Sequence, residues 1–304
     1  MQVPQLLQQL RADNTSGATT LLEQAISIVE AFAMQPLPAQ GSEFHDELTV
    51  LARDLIAAQP SMAVMITLVQ HILETCSASS PLEAQEQLRE AIETFRLQTK
   101  AYHEALCQHA LDVIPPSANI LTYSNSGTVV EALHVAHRHR RVQQVFLSES
   151  RPAYDGQIQA RSLIESGIEI DYRIDIGLFE CIPKTDIILM GADAVFPDGL
   201  INKLGTHALT QVAHLHQVPV YILCTSMKWL PQDAKALFRI EDHPSDEVWP
   251  EAPEKLRVFN RYFDMTPLDL VSGIISEKGV MTPHQLSQTL LQRRLAPELR
   301  LGSS

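Results

Sequence analysis

The 304-residue sequence lacks the features of a disulfide-stapled, membrane-spanning or nucleic-acid-binding protein. Its four cysteines, Cys76, Cys107, Cys181 and Cys224, form no C-x-x-C pair and show no metal-ligand spacing. The first residues lack the charged and apolar regions of a secretory signal, so a reduced, cytoplasmic protein is expected. No apolar stretch approaches the roughly 20 residues that cross a bilayer, and no membrane association is expected. Lys and Arg number 23 against 36 Asp and Glu, a formal net charge of −13. Phosphate backbones demand a basic face, so this balance argues against nucleic acid as a partner and leaves room only for a local basic pocket. There is no internal repeat and no low-complexity tract.

What is present is enough apolar residue, 45% of the chain, for one large core or two smaller ones. Up to about residue 110, LLEQAISIVEAFA, ELTVLARDLIAA and SMAVMITLVQHILETC carry apolar residues at three- and four-residue spacing, without strand-like alternation. MQPLPAQGS and SASSPLE stop these helices, because Pro fixes φ and removes a donor. The longest helix is expected over residues 82–111 and ends at VIPPSAN, where Pro115 and Pro116 cannot continue the ladder. The expected organisation is an antiparallel helical domain over 1–112 followed by a second domain over 113–304.

In that second domain NILTYS, QQVFLSES, IEIDYRID, DIILMGAD and VPVYILCTS are short β-rich runs separated by helix-length sequence. Strand alternating with helix predicts an α/β fold, a Rossmann-like parallel sheet covered on both faces. RVFNRYFDMTP is expected to add a sixth strand, TPHQLSQTLLQRR a closing helix, and LAPELRLGSS a loose tail.

Open parallel sheets bind ligands outside the carboxyl ends of their strands, near a switch in strand order. The candidate residues fall at such ends. In YSNSGTVVEALHVAHRHR, Ser124, Asn125, Ser126 and Gly127 precede a helix; Ser126 is placed to cap it, and the free N–H groups behind the cap favour an anion. An ordinary, well-capped βα turn accounts for the same residues. In GADAVFPDGLINKLGT, Lys203 brings a positive charge, Asn202 an amide, and Gly205 with Thr206 a second helix start, the donor types a phosphate needs. A solvated loop lysine is the plainer alternative. Asp193 follows an apolar run where water is scarce, which raises a carboxyl pKa and permits proton donation near neutral pH; capping its own turn is the common Asp habit. Arg151, in Glu149-Ser150-Arg151-Pro152, is suited either to gripping a phosphate or to pairing with Glu149 or Asp193.

Two further features point to structure rather than to a site. His134, His137 and His139 crowd the last turn of a helix beside Arg138, Arg140 and Arg141, where cations suit the helix dipole, so no metal is expected. SMKWLPQDAK sets a Trp beside a Pro, a packing feature. No cofactor is expected.

ILTYSNSG, ESRPAYDGQ, ILMGADAVFPDGLINKLGT, VPVYILCTS and FDMTPLDLVSGIISEKGVMTP, over about residues 111–290, resemble the superfamily of the alpha, beta and delta subunits of translation initiation factor 2B. That superfamily also holds methylthioribose-1-phosphate isomerase and archaeal ribose-1,5-bisphosphate isomerase. For its enzymes the resemblance implies an aldose-1-phosphate to ketose-1-phosphate conversion, using a cysteine of an ILTHCN-like motif and the aspartate of a GAD motif. Asp193 matches that aspartate, and Asn202 and Lys203 match a phosphate-binding pair. Arg151 with Gln157 matches an Arg-Pro…Gln-Gly region approximately, since Asp155-Gly156-Gln157 replaces the Gln-Gly order. FDMTP is closer to the isomerases and sets Asp264 against a sugar hydroxyl. Ser124 stands where the cysteine should be. In NTSGATTLLEQA, Ser16 precedes Gly17 and Ala18 where the isomerases have Arg-Gly-Ala, so a phosphate-gripping arginine is missing.

The serine matters, because a thiol with pKa near ~8.5 can exchange protons with a sugar carbon whereas an unassisted hydroxyl cannot. The expected function is binding of a phosphorylated sugar or nucleotide, with Cys-dependent isomerisation reduced or lost. Two alternatives stay open: an active isomerase using Asp193, and a regulatory subunit acting by protein association in translation initiation. A homodimer is implied by the resemblance on each reading.

Overall fold

The computed structural model describes residues 3–13 and 17–300. The chain forms two compact units. The first takes in the described residues through Ala101, together with Leu230–Arg239 and the described residues from Leu291 onward. The second takes in Tyr102–Trp229 and Ile240–Leu290.

The first unit is built from α1 (Val3–Ala12), α2 (Ala18–Phe32), α3 (Gly41–Ala58), α4 (Ala63–Thr75) and most of α5 (Pro81–Val113). Each of α2 to α4 buries one apolar stripe; in α2 it runs through Leu22, Ala25, Ile26 and Val29, the spacing that puts side chains on one helix face. Helix α5 stops two residues before Pro115, as its ring requires. The segment expected to be a loose tail is instead packed as far as Arg300. Leu295, Ala296 and Leu299 are buried, Glu298 meets His45 at 3.3 Å, and its carbonyl accepts from Arg53 at 2.8 Å. The apolar residues of LAPEL supply the burial that a polar tail would lack. Residues 301–304 lie outside the described residues, as does Ser16.

The second unit is doubly wound. Its elements are β1 (Ala118–Leu121), α6 (Gly127–Arg138), β2 (Val142–Ser148), α7 (Asp155–Glu165), β3 (Ile170–Arg173), β4 (Ile187–Met190), β5 (Ala194–Phe196), β6 (Gly199–Lys203), α8 (Thr206–Leu215), β7 (Val220–Leu223), β8 (Phe263–Thr266), β9 (Gly273–Ser276), β10 (Gly279–Met281) and α9 (Pro283–Leu291). Seven strands make one sheet in the order β10-β9-β7-β4-β1-β2-β3, parallel throughout except for the β9–β10 hairpin. The chain builds outward from β1 to β3, then returns to lay β4 on the other side of β1. The strand order therefore reverses between β1 and β4, and that is where an open sheet leaves a crevice.

One expectation is corrected. RVFNRYFDMTP does supply a strand, β8, but not to the parallel sheet. It pairs antiparallel with β6 in a separate sheet of order β5-β6-β8. The reason lies in AVFPDGLINK, which turns at Pro197-Asp198 into the fully buried hairpin β5–β6 and leaves its β6 edge open to β8. The sixth parallel strand is β9.

Candidate functional site

Five connections converge at the β1/β4 switch. The β1–α6 turn is held from two sides: the Ser124 N–H donates to Ser150 Oγ at 2.9 Å, and the Tyr123 hydroxyl donates to the Leu204 carbonyl at 2.7 Å. Ser124 has φ of 68°, a left-handed backbone unusual for a residue with a Cβ. Ser126 caps α6, its Oγ accepting from the Val129 N–H at 3.4 Å. Its own N–H is taken by Gln159 Oε1 at 2.9 Å, and the Gln159 amide donates in turn to Thr122 Oγ1 at 3.2 Å. Asn125 and Gly127 are exposed on the outer side of this turn.

The β2–α7 connection is pinned by Asp175, which accepts from Ser148 Oγ and the N–H groups of Ser150 and Arg151 at 2.7–2.8 Å. Gly156 lies directly on the Ser148 carbonyl, where a Cβ would collide with backbone, so α7 starts against the end of β2. This places Asp155, its first residue, with Oδ2 2.6 Å from Lys203 Nζ.

Lys203 ends β6 with 3% of its side chain exposed, and its ammonium stands 4.5 Å from the centre of the Tyr262 ring. Asn202 donates to Thr206 Oγ1 at 3.0 Å, and Thr206 Oγ1 donates to the Lys203 carbonyl at 2.6 Å. Gly205 adopts φ of 105°, and a Cβ there would lie 3.0 Å from the Tyr123 hydroxyl. Asp264 covers the start of α8: its Oδ2 accepts from the N–H groups of Gly205 at 2.8 Å and His207 at 3.3 Å. Burial pushes the Asp264 pKa up, against these two bonds, which favour the anion.

Asp193, just past β4, is half-buried, and among the described residues none donates a hydrogen bond to its carboxylate. Burial raises its pKa; Lys228 and then Lys203 oppose the rise, and Asp155 adds to it. Lys228, in the short turn after β7, donates to the Ala192 carbonyl at 2.8 Å. Cys224, directly after the same strand, is a buried thiol whose pKa burial pushes up to about 12, with Lys228 again opposing. A carboxyl whose pKa burial raises, two ammonium groups and a left-handed serine turn are thus gathered at one end of the sheet. Such a set can hold an anion and exchange a proton with a neighbouring carbon or hydroxyl.

Several residues singled out in the sequence stand elsewhere. Gln157 is exposed and turned toward the Tyr172 phenol, while Gln159, two residues on and on the buried face of α7, reaches the serine turn. Arg151 pairs with neither Glu149 nor Asp193; its guanidinium lies against the Tyr154 ring and donates to the Val248 carbonyl at 3.0 Å. The start of α8 does not present free N–H groups at Gly205 and His207, because Asp264 holds both. Trp229 is buried in the core of the second unit. Lys228, Asp155 and Gln159 were missed as site residues. The strand-end rule applied to VPVYILCTSMK would have reached Lys228, and the polar Gln159 on an otherwise apolar helix face was a readable anomaly.

These features define a doubly wound, Rossmann-like α/β unit with charged side chains gathered at its switch point, carried on a chain whose other unit is helical. The chain belongs to the Initiation factor 2 subunit family, whose sequence model matches residues 14–283. It is 26% identical over 299 residues to ribose 1,5-bisphosphate isomerase of Archaeoglobus fulgidus, covering 96% of this chain and 93% of that one. It is 30% identical over 284 residues to methylthioribose-1-phosphate isomerase of Pelotomaculum thermopropionicum, covering 84% and 78%. Among solved structures, translation initiation factor eIF-2B of Pyrococcus horikoshii OT3 matches with a TM-score of 0.80 at 25% identity, covering 93% of this chain and 98% of that one. Close relatives of the chain are therefore named as sugar-phosphate isomerases. None of its described helices is long and apolar enough to cross a membrane.

Proposed function

We propose that the β1/β4 crevice binds a phosphorylated sugar or nucleotide, and that Cys-dependent aldose-1-phosphate isomerisation is reduced or lost. The observation that carries this reading is the buried Lys203 ammonium, which stands beside the β6–α8 turn that the Tyr123 hydroxyl ties to the serine turn through the Leu204 carbonyl at 2.7 Å. Ser124, Asn125, Ser126 and Gly127 offer the phosphate the start of α6, Asn202, Lys203, Gly205 and Thr206 line the opposite wall, and Asp193 faces the sugar. Arg151 and Gln157 stand back from this arrangement, and Asp264 acts by holding the start of α8. Ser124 supplies a hydroxyl where a thiol would be the base, which removes one acid–base partner and with it about 10²- to 10⁴-fold in rate.

Calorimetry with ribose 1,5-bisphosphate, methylthioribose 1-phosphate and nucleoside monophosphates tests the reading. We expect binding by at least one of them, and its weakening in Lys203→Ala, which leaves the Asp155 carboxylate without its counter-charge. No binding by any, or binding indifferent to that substitution, would overturn it.

A second reading keeps turnover, and the raised pKa of Asp193 favours it: an acid protonated nearer neutrality can still serve a sugar oxygen. Product formation from either named sugar phosphate by the unaltered chain would decide for it.

We further propose self-association through the β3 edge. Tyr172 on the edge strand β3, Ile174 and Ile176 just beyond it, and Ile158 on α7 are all exposed, and among the described residues no strand pairs with the outer edge of β3. Light scattering should give a homodimer mass, and Ile174→Asp with Ile176→Asp should give a monomer.

A further inference from the structure

We propose that Asp155 sets the charge of the ligand, so that the crevice selects a sugar carrying one phosphate over a sugar carrying two. This rests on the phosphorylated-ligand reading above and narrows it. A buried ammonium requires a counter-charge, because water no longer solvates it. In most phosphate sites the ligand is that counter-charge. Here the protein provides its own: Asp155 Oδ2 stands 2.6 Å from Lys203 Nζ, and the Tyr262 ring covers a further side of the ammonium. A phosphate arriving at Lys203 meets a neutralised pair and a carboxylate that repels it.

The neighbouring receptor is closed in the same way, since Asp264 takes the N–H groups of Gly205 and His207 at the start of α8. The start of α6 differs. Its cap Ser126 serves the Val129 N–H, and among the described residues no carboxylate accepts from the N–H groups of Gly127 and Thr128, which have no intrahelical acceptor. One wall is thus open to a phosphate, and the other carries two carboxylates. Asp155 keeps 29% of its side chain exposed, so its free oxygen can accept a hydroxyl from the uncharged end of a ligand. Gly156 fixes the carboxylate there by starting α7 directly on the Ser148 carbonyl.

Calorimetry on the full chain with methylthioribose 1-phosphate and ribose 1,5-bisphosphate, at one ionic strength, reads the selection as a ratio of Kd values within one preparation. The unaltered chain should favour the monophosphate by roughly tenfold or more. Asp155→Asn leaves Lys203 in need of an anion and should move the ratio at least tenfold toward the bisphosphate, and Asp155→Gln should do the same. A ratio is insensitive to the folded fraction, and the unaltered chain tests the claim even if both variants fold poorly. A bisphosphate bound as tightly as the monophosphate, or an unchanged ratio in a folded variant, would refute the role of Asp155 while leaving phosphate binding intact. Uptake of neither compound by any of the chains would refute both proposals together.

Discussion

Gly191 lies directly against Ser126: a Cβ built at residue 191 would stand 2.5 Å from the serine Oγ and 2.9 Å from its Cβ. The two residues belong to the ends of β4 and β1, which flank the reversal of strand order. Their contact sets the chain that leads from β4 to Asp193 against the serine turn. Gly191→Ala must displace either the α6 cap or the turn to Asp193, at a cost of about 1–3 kcal/mol. Thermal unfolding should register that loss, and ligand affinity should fall in the same variant.

Gln159 is fully buried and bridges the Ser126 N–H to the Thr122 hydroxyl. Gln159→Ala strands both groups without water, which costs about 1–3 kcal/mol. Gln159→Glu keeps the acceptor to Ser126 but loses the donor to Thr122, and brings a charge into a dry position. Chemical denaturation should find both variants destabilised, with no loss for Gln157→Ala on the exposed face of the same helix.

The raised pKa of Asp193 has a definite sign in stability. Its folded value lies above the ordinary 3.8, so the folded state holds this proton more tightly than the unfolded chain. That contribution is fully present below the unfolded pKa and is lost as pH rises through the folded value. Asp193→Asn should therefore be relatively more stable than the unaltered chain at neutral pH, and this advantage should shrink toward pH 4. Unfolding midpoints across that range check it; a variant that gains stability only on the acid side would contradict the burial of this carboxyl.

Ser124→Cys restores a thiol on an unchanged left-handed turn. If the crevice otherwise retains its acid in Asp193, turnover of methylthioribose 1-phosphate or ribose 1,5-bisphosphate should appear where the parent has little, by about 10²-fold or more. Activity equal in the two chains would favour the reading in which Asp193 alone suffices.

The parallel sheet was legible because its central strands are covered on both faces. DIILMGAD reads as a continuous apolar run since Ile187, Ile188, Leu189 and Met190 are all buried. The β5–β6 hairpin was not, because its three- and five-residue strands are too short for any period to declare itself, and the burial of Lys203 in it runs against the usual habit of the residue. The pair it makes with Asp155 joins positions 48 apart and has no local signature at all. Asp264 was expected beside a sugar; its work on the N–H groups of Gly205 and His207 depends on β8 lying next to β6, a pairing that no neighbouring residues announce.

The helical unit draws on three separate stretches of chain, with Leu230–Arg239 and the segment from Leu291 added to the opening helices. Leu295, Ala296 and Leu299 fill its interior, and Asp233 accepts a hydrogen bond from the Leu295 N–H at 3.2 Å. During synthesis, the opening helices must therefore wait, with apolar surface uncovered, until Leu230–Arg239 and the segment from Leu291 to Leu299 have also left the ribosome. A fragment ending at residue 112 would keep that surface bare permanently, and aggregation rather than an isolated folded helical piece is its natural fate.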